Sequence, residues 1–230
     1  MASRKLVLFI LASASISSTT PEWTQNVEEA NSGHTIGNPD AEVKLAEYIS
    51  YTCSHCATFT KEGESALKQR YVQDGTVSLE IRHLIRDPID LTVALLTHCG
   101  EPESFSSKHT AFMASQDNWL AIAIESSADM RQRWSNPDRE EGRRALSEDL
   151  GFYEIMRAHS YTTTEINSCL ADGAQESALI NSSMNDARRL NLRGTPSFTI
   201  NDALLPNIHR WEELEPRIID ELASNLIGSN

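Results

Sequence analysis

Cysteine is scarce in this chain, with four residues among 230, at positions 53, 56, 99 and 169. So few cannot form a disulfide scaffold that stands in for a core. There is also no second C-x-x-C and no close pair of histidines, so no zinc-ligand pattern is complete and no metal site is expected. Glycine and proline number only ten and eight, which argues against a low-complexity or disordered chain,. With 40% hydrophobic residues, one or two compact units with a real core are expected,. Basic residues are outnumbered 20 to 33, giving a net charge of −13. Such a chain is an unlikely ligand for a nucleic-acid backbone or an anionic membrane surface. No apolar run reaches the ~20 residues that span a bilayer.

The longest apolar run stands near the start. Arg4 and Lys5 precede Leu6-Val7-Leu8-Phe9-Ile10-Leu11-Ala12, and small residues follow, with Ala12-Ser13-Ala14 as a small-x-small pattern. That is the order of a secretory signal peptide, predicted over 1–20. No cysteine follows it to accept a lipid. The expected location is therefore the periplasm or another exported oxidising compartment, where disulfides persist. Residues 21–33 carry no lysine or arginine and read as a polar linker.

Further along, Gly37-Asn38-Pro39-Asp40 signals a turn and 43–50 a strand. A helical pattern begins after residue 53 and is expected to run to about Tyr71,. Asp74-Gly75 turns the chain into a second strand over 76–83. There Val77, Leu79, Ile81 and His83 alternate with polar residues as a half-buried strand requires. His83 reads as a satisfied core or edge histidine. From 89 to 190 only helical periodicities occur, with Phe105, Phe112, Trp119 and Trp134 as core candidates. Strand character returns at 195–200, and Asn201-Asp202 fits the two-residue loop of a hairpin to Ala203-Leu204-Leu205. A last amphipathic helix is predicted over 211–226.

The chemistry lies in Cys53-Ser54-His55-Cys56. Two thiols three residues apart can close a disulfide and pass it to another protein. The preceding strand and following helix place Cys53 at a helix N-terminus, where unpaired N–H groups favour a thiolate. With His55 beside it as a donor or cation, its pKa should fall well below the free value of about 8.5. Cys53 is then the exposed sulfur that attacks or is attacked, and Cys56 the thiol that resolves the mixed disulfide.

Three features carry a resemblance. They are Cys53-Ser54-His55-Cys56 after a strand, Gly194-Thr195-Pro196-Ser197-Phe198 downstream, and the helical block between them. Over 34–227 the chain resembles the disulfide-bond protein A (DsbA) family of exported thioredoxin-fold oxidoreductases. The resemblance implies an α/β, thioredoxin-like fold with a helical domain inserted between the second and third core strand segments. Its parts would be 34–88 and 191–227 for the thioredoxin domain and 89–190 for the insertion. It implies a cis Pro196 facing Cys53, with the Thr195 backbone lining a groove for a substrate strand. Glu47 matches the family's buried carboxylate, which accepts or relays the proton of Cys56; an exposed glutamate on the outer strand face is the alternative. Ser54 departs from the proline frequent in the family and leaves the potential open.

The expected function is oxidation of cysteine pairs in exported proteins, by a monomer needing no cofactor. The resemblance further implies reoxidation by a membrane quinone-linked oxidase of the DsbB type. A reductase or isomerase of the same fold, or a redox-inert peptide-binding module, are the competing readings. Cys99 and Cys169 either close a loop of about seventy residues by a disulfide or stay reduced as small apolar side chains.

Overall fold

The computed structural model describes residues 22–30 and 33–228. The predicted signal segment 1–20 lies outside them. Six strands form one mixed sheet in the order β1-β2-β4-β3-β5-β6. They are β1 Val27–Ala30, β2 Gly33–Ile36, β3 Val43–Ile49, β4 Val77–His83, β5 Ser197–Ile200 and β6 Ala203–Leu205. The central pair β3 and β4 is parallel, and β5 runs antiparallel to β3 on its other side.

Between β3 and β4 the chain is helical over 54–72, here α1. Its α-helical stretches Ser54–Phe59 and Ser65–Leu67 alternate with π-helical Thr60–Glu64 and Lys68–Val72. The turn after it needs a left-handed residue, and Gly75 supplies it with φ +82°; a Cβ there would also sit 2.7 Å from the Trp23 ring,. Between β4 and β5 lies the helical block: α2 Pro88–Thr97, α3 Phe105–Ala114, α4 Gln116–Ile124, α5 Ala128–Trp134, α6 Arg139–Asp149, α7 Phe152–Ala158, α8 Thr163–Leu170 and α9 Gly173–Leu190. Helix α10, Trp211–Gly228, ends the chain's described part. No helix among the described residues is long and apolar enough to cross a membrane.

Two sequence expectations change. The segment 21–33 is not a linker: its residues 27–30 pair with β2 as an antiparallel hairpin that docks on β4. Only Val27 and Ile36 need be apolar to anchor this edge, since Glu28 and Glu29 stay exposed,. Strand β4 is buried on both faces instead of one. Its polar face carries Arg82, whose guanidinium donates to Asp186 on α9 at 2.7 Å and to Glu80 at 2.7 Å. Pairing thus lets α9 cover a face that composition alone marks as solvent.

The register fixes what each sheet face offers. Glu47 on β3 stands opposite Ile81 on β4 and Phe198 on β5, and Phe198 packs its ring against Phe59 of α1. Tyr48 stands opposite Arg82 on the other face, toward α9. Asn201 and Asp202 both take positive φ, 49° and 66°, and form the predicted two-residue hairpin loop,. In the helical block Phe105, Phe112 and Trp119 are buried, and Trp134 packs partly exposed against the same core. Cys99, just beyond α2, is bonded to Cys169 in α8, settling the alternative left open by sequence.

Candidate redox site

The site forms where β3 ends. Cys53 is the N-cap of α1, with extended backbone (φ −97°, ψ 116°), so the first amides of the helix point toward its sulfur,. Its Sγ lies 3.2 Å from the carbonyl oxygen of Thr195. The Thr195–Pro196 bond is cis, and Ser197 closes the turn by donating its hydroxyl to Gly194 O at 2.7 Å. The two halves of the motif, far apart in sequence, thus face each other across one gap.

The two thiols differ in surroundings. Cys53 is 5% exposed and Cys56 fully buried at 0%. The expected open sulfur is therefore a shielded one, although Cys53 is still the more accessible. A hydrogen bond from Cys56 is the largest influence on Cys53. Against the opposing pull of burial, and with help from the Thr195 side chain and the backbone N–H groups of Cys56 and His55, it holds the thiol down to about 4. The Thr195 hydroxyl is buried with no other partner, so it can turn to the thiolate. Burial pushes the Cys56 thiol well above its ordinary range, as do the hydrogen bond to Cys53 and the nearby Glu47. His55 contributes through its backbone; its imidazole is exposed.

Glu47 is fully buried, which overturns the alternative of an exposed outer face, and neither carboxyl oxygen has a hydrogen-bond partner. Burial raises its pKa well above the carboxylate range, and the Glu64 charge adds to this. Both effects favour the protonated form of Glu47,. Glu64 behaves oppositely. Burial pushes it up, but Lys68 Nζ at 2.6 Å and His109 Nε2 at 3.3 Å outweigh that and hold it down to about 2.

Sequence reasoning missed the frame around the cysteines. Asp90, in the first turn of α2, is fully buried and accepts from Ser50 Oγ at 2.7 Å, Tyr51 N at 2.7 Å and Arg86 N at 3.0 Å. Asp87, the N-cap of α2, accepts from Thr52 Oγ1 at 2.6 Å. Gln116 of α4 donates to Tyr51 O at 2.6 Å and Cys53 O at 3.0 Å. The Tyr51 hydroxyl meets Thr97 Oγ1 at 3.2 Å and His109 Nδ1 at 3.0 Å. Asp87-Pro88 starts α2 as N-cap and N1 proline,, but nothing local in sequence shows that it grips residues 50–53.

A shielded dithiol with one stabilised thiolate and one protonated partner can exchange disulfides. Comparisons with known proteins agree. The Thioredoxin family model matches residues 29–221. A crystal structure of a protein-disulfide isomerase from Novosphingobium aromaticivorans shares 40% identity, with TM-score 0.80 over 84% of this chain and 99% of that one. Alpha-DsbA1 of Wolbachia pipientis shares 20% identity, with TM-score 0.69 over 86% and 94%, which shows the fold. A relative in Rickettsia bellii, provisionally named a protein-disulfide oxidoreductase, is 28% identical over 173 residues, 75% of this chain and 58% of its own length. This chain spans a little over half the length of the curated relatives it matches. With its motif, its sheet and its inserted helices in these places, the chain belongs to the thioredoxin family and has the fold of that family's DsbA-like proteins.

Proposed function

We propose that this protein is a thiol–disulfide oxidoreductase that oxidises cysteine pairs in exported proteins. The observation that carries the proposal is the asymmetry of the pair, with Cys53 held down to about 4 and Cys56 pushed up. Every unit by which a thiolate is favoured stabilises the reduced form by about 1.4 kcal/mol. For a two-electron couple that makes the disulfide a stronger oxidant by about 30 mV.

In the first step a substrate thiolate attacks Cys53 Sγ of the Cys53–Cys56 disulfide. The S–S bond breaks, a mixed disulfide forms at Cys53, and Cys56 leaves. Its high pKa makes it a poor leaving thiolate unless a proton arrives, and Glu47 on the adjoining strand, whose protonated form burial favours, supplies one,. A second substrate thiolate then attacks the substrate's own sulfur in the mixed disulfide, and Cys53 departs as a stabilised thiolate. The substrate loses two electrons and gains a disulfide; the enzyme ends as a Cys53 thiolate and a Cys56 thiol. Thr195 and Pro196 wall the gap opposite Cys53 and would hold the substrate strand there. Reoxidation falls to a membrane quinone-linked oxidase of the DsbB type, the protein acting as a monomer in the periplasm or a similar exported compartment.

Isomerisation is the second reading, favoured by the name of the Novosphingobium protein. The potential separates the two. Equilibration of Cys53/Cys56 with glutathione should give a value nearer the about −120 mV of a strong oxidant than the about −180 mV of an isomerase. A Cys56→Ala variant should accumulate mixed disulfides through Cys53. A potential near the about −270 mV of a reductant would defeat the oxidase assignment, and the absence of any adduct would defeat the enzyme.

A further inference from the structure

Away from the cysteine pair, imidazoles gather where the β1–β2 hairpin meets the helical block. His34 stands on β2, His83 at the end of β4 and His98 at the C-cap of α2, with Glu29 on β1 beside them. His34 and His83 are 2% and 3% exposed, and each has a buried Nδ1 without a hydrogen-bond partner. The side chain of His98 is just as enclosed. Its Nε2 lies 3.0 Å from His83 Nε2 and its Nδ1 3.3 Å from Glu29 Oε1. Phe105 stacks on the His34 ring, with centroids 3.8 Å apart. One ligand atom from each of Glu29, His34 and His98 falls within 4.8 Å of the others.

Buried polar atoms are almost always satisfied, so the orphaned ring nitrogen of His34, grouped with His98 and the Glu29 carboxylate, calls for an occupant,. Neutral imidazole and carboxylate are the donors that zinc and neighbouring first-row divalent ions take. We propose that Glu29, His34 and His98 bind one divalent transition-metal ion of the zinc class, with His83 as the outer partner of His98. Bonds of about 2.0–2.2 Å in a tetrahedral site put ligand atoms about 3.3 Å apart. Glu29 and His98 already stand at that spacing, and a shift of at most about 1.5 Å brings His34 to it,.

The hydrogen-bond pattern is that of a ligating histidine. With Nδ1 on the ion, His98 keeps Nε2–H to donate to His83, as metal-bound histidines ordinarily donate to a second group. The ion takes the place of the hydrogen that Gln175 Nε2, 2.9 Å away, directs at His98 Nδ1. The Glu29 side chain is 46% exposed and gives access from solvent, with water in the fourth position,. The three ligands come from two strands and a helix end. The ion therefore joins the N-terminal hairpin to the helical block, beside the Cys99–Cys169 bond. It has no part in disulfide exchange.

The test uses the full chain with Cys53 and Cys56 oxidised, so that neither offers a thiolate. After chelator treatment it is titrated with Zn²⁺ against a chromophoric competitor while thermal unfolding is followed in parallel. One equivalent should bind, and saturating Zn²⁺ should raise Tm by mass action. Glu29→Gln changes an exposed side chain and should keep the chelated Tm of the parent while losing about tenfold or more in affinity. His98→Ala should lose binding altogether. No stoichiometric binding by the parent protein overturns the site, and so does undiminished binding by Glu29→Gln.

Discussion

Cys53 Sγ and the carbonyl oxygen of Thr195 stand 3.2 Å apart although 142 residues separate them in the chain. A thiol can donate to that carbonyl, but a thiolate is repelled by it. The ionised form must turn to other donors, and the Thr195 hydroxyl is the one that has no other partner.

Replacing that hydroxyl tests the assignment. Thr195→Val keeps shape and backbone but removes a donor that lowers the Cys53 pKa. The thiolate absorbance near 240 nm should titrate about one pH unit higher than in the parent. An unchanged midpoint would show that the Cys56 thiol and the backbone amides suffice.

The same ionisation sets a pH dependence for the reduced protein. The folded value of about 4 lies below the ordinary 9.0. A depressed value contributes stability that is complete above pH 9.0, declines as pH falls through the window, and is lost below about 4,. The oxidised protein has no such group at Cys53. Urea unfolding at pH 8 and pH 5 should therefore show the reduced form losing stability relative to the oxidised one at the lower pH; parallel losses would refute this.

Glu47 gives a trade of stability against rate. Its two oxygens are buried without partners, so Glu47→Leu should raise stability by about 1–3 kcal/mol. The same variant should slow departure of Cys56 by about tenfold or more. Denaturant midpoints and the rate of mixed-disulfide formation with a cysteine peptide measure the two effects. A variant equally fast would remove Glu47 from the proton path.

Gln116 offers the converse case. Its amide is the donor to Tyr51 O at 2.6 Å, deep beneath the cysteine loop. Gln116→Leu would leave that carbonyl buried and unmet, and should cost about 1–3 kcal/mol. Faster thiol alkylation at Cys53 should accompany the loss, because the loop also loses its tether at Cys53 O.

Removing the second disulfide should affect stability alone. Cys99 and Cys169 are 70 residues apart in sequence, and opening so long a loop should cost about 2–4 kcal/mol. Cys99→Ala/Cys169→Ala should keep the Cys53/Cys56 potential within error while its Tm falls.

What sequence could disclose depended on how local the signal was. The β3–α1–β4 unit and the Asn201-Asp202 hairpin declared themselves through short-range pattern and turn chemistry. Cys53, Cys56 and Pro196 were legible because each sits in a compact motif. The β1–β2 hairpin was not, since an edge strand needs only one or two anchors and its acidic residues mimic a linker. The burial of Arg82 was hidden for another reason: its partner Asp186 lies 104 residues away. Asp90 and Gln116 are equally remote from the loop they hold, and their types alone suggest nothing.

That loop has a further implication for how such proteins can be recombined. Residues 50–53 are gripped by Arg86, Asp87, Asp90 and Gln116, all of them after β4 and two of them in the helical block. The dipeptide between the cysteines is therefore only part of what travels with the redox character. A chimaera that exchanges the helical block between relatives exchanges the mould in which the cysteine loop is cast, and should transplant reactivity without altering one letter of Cys53-Ser54-His55-Cys56.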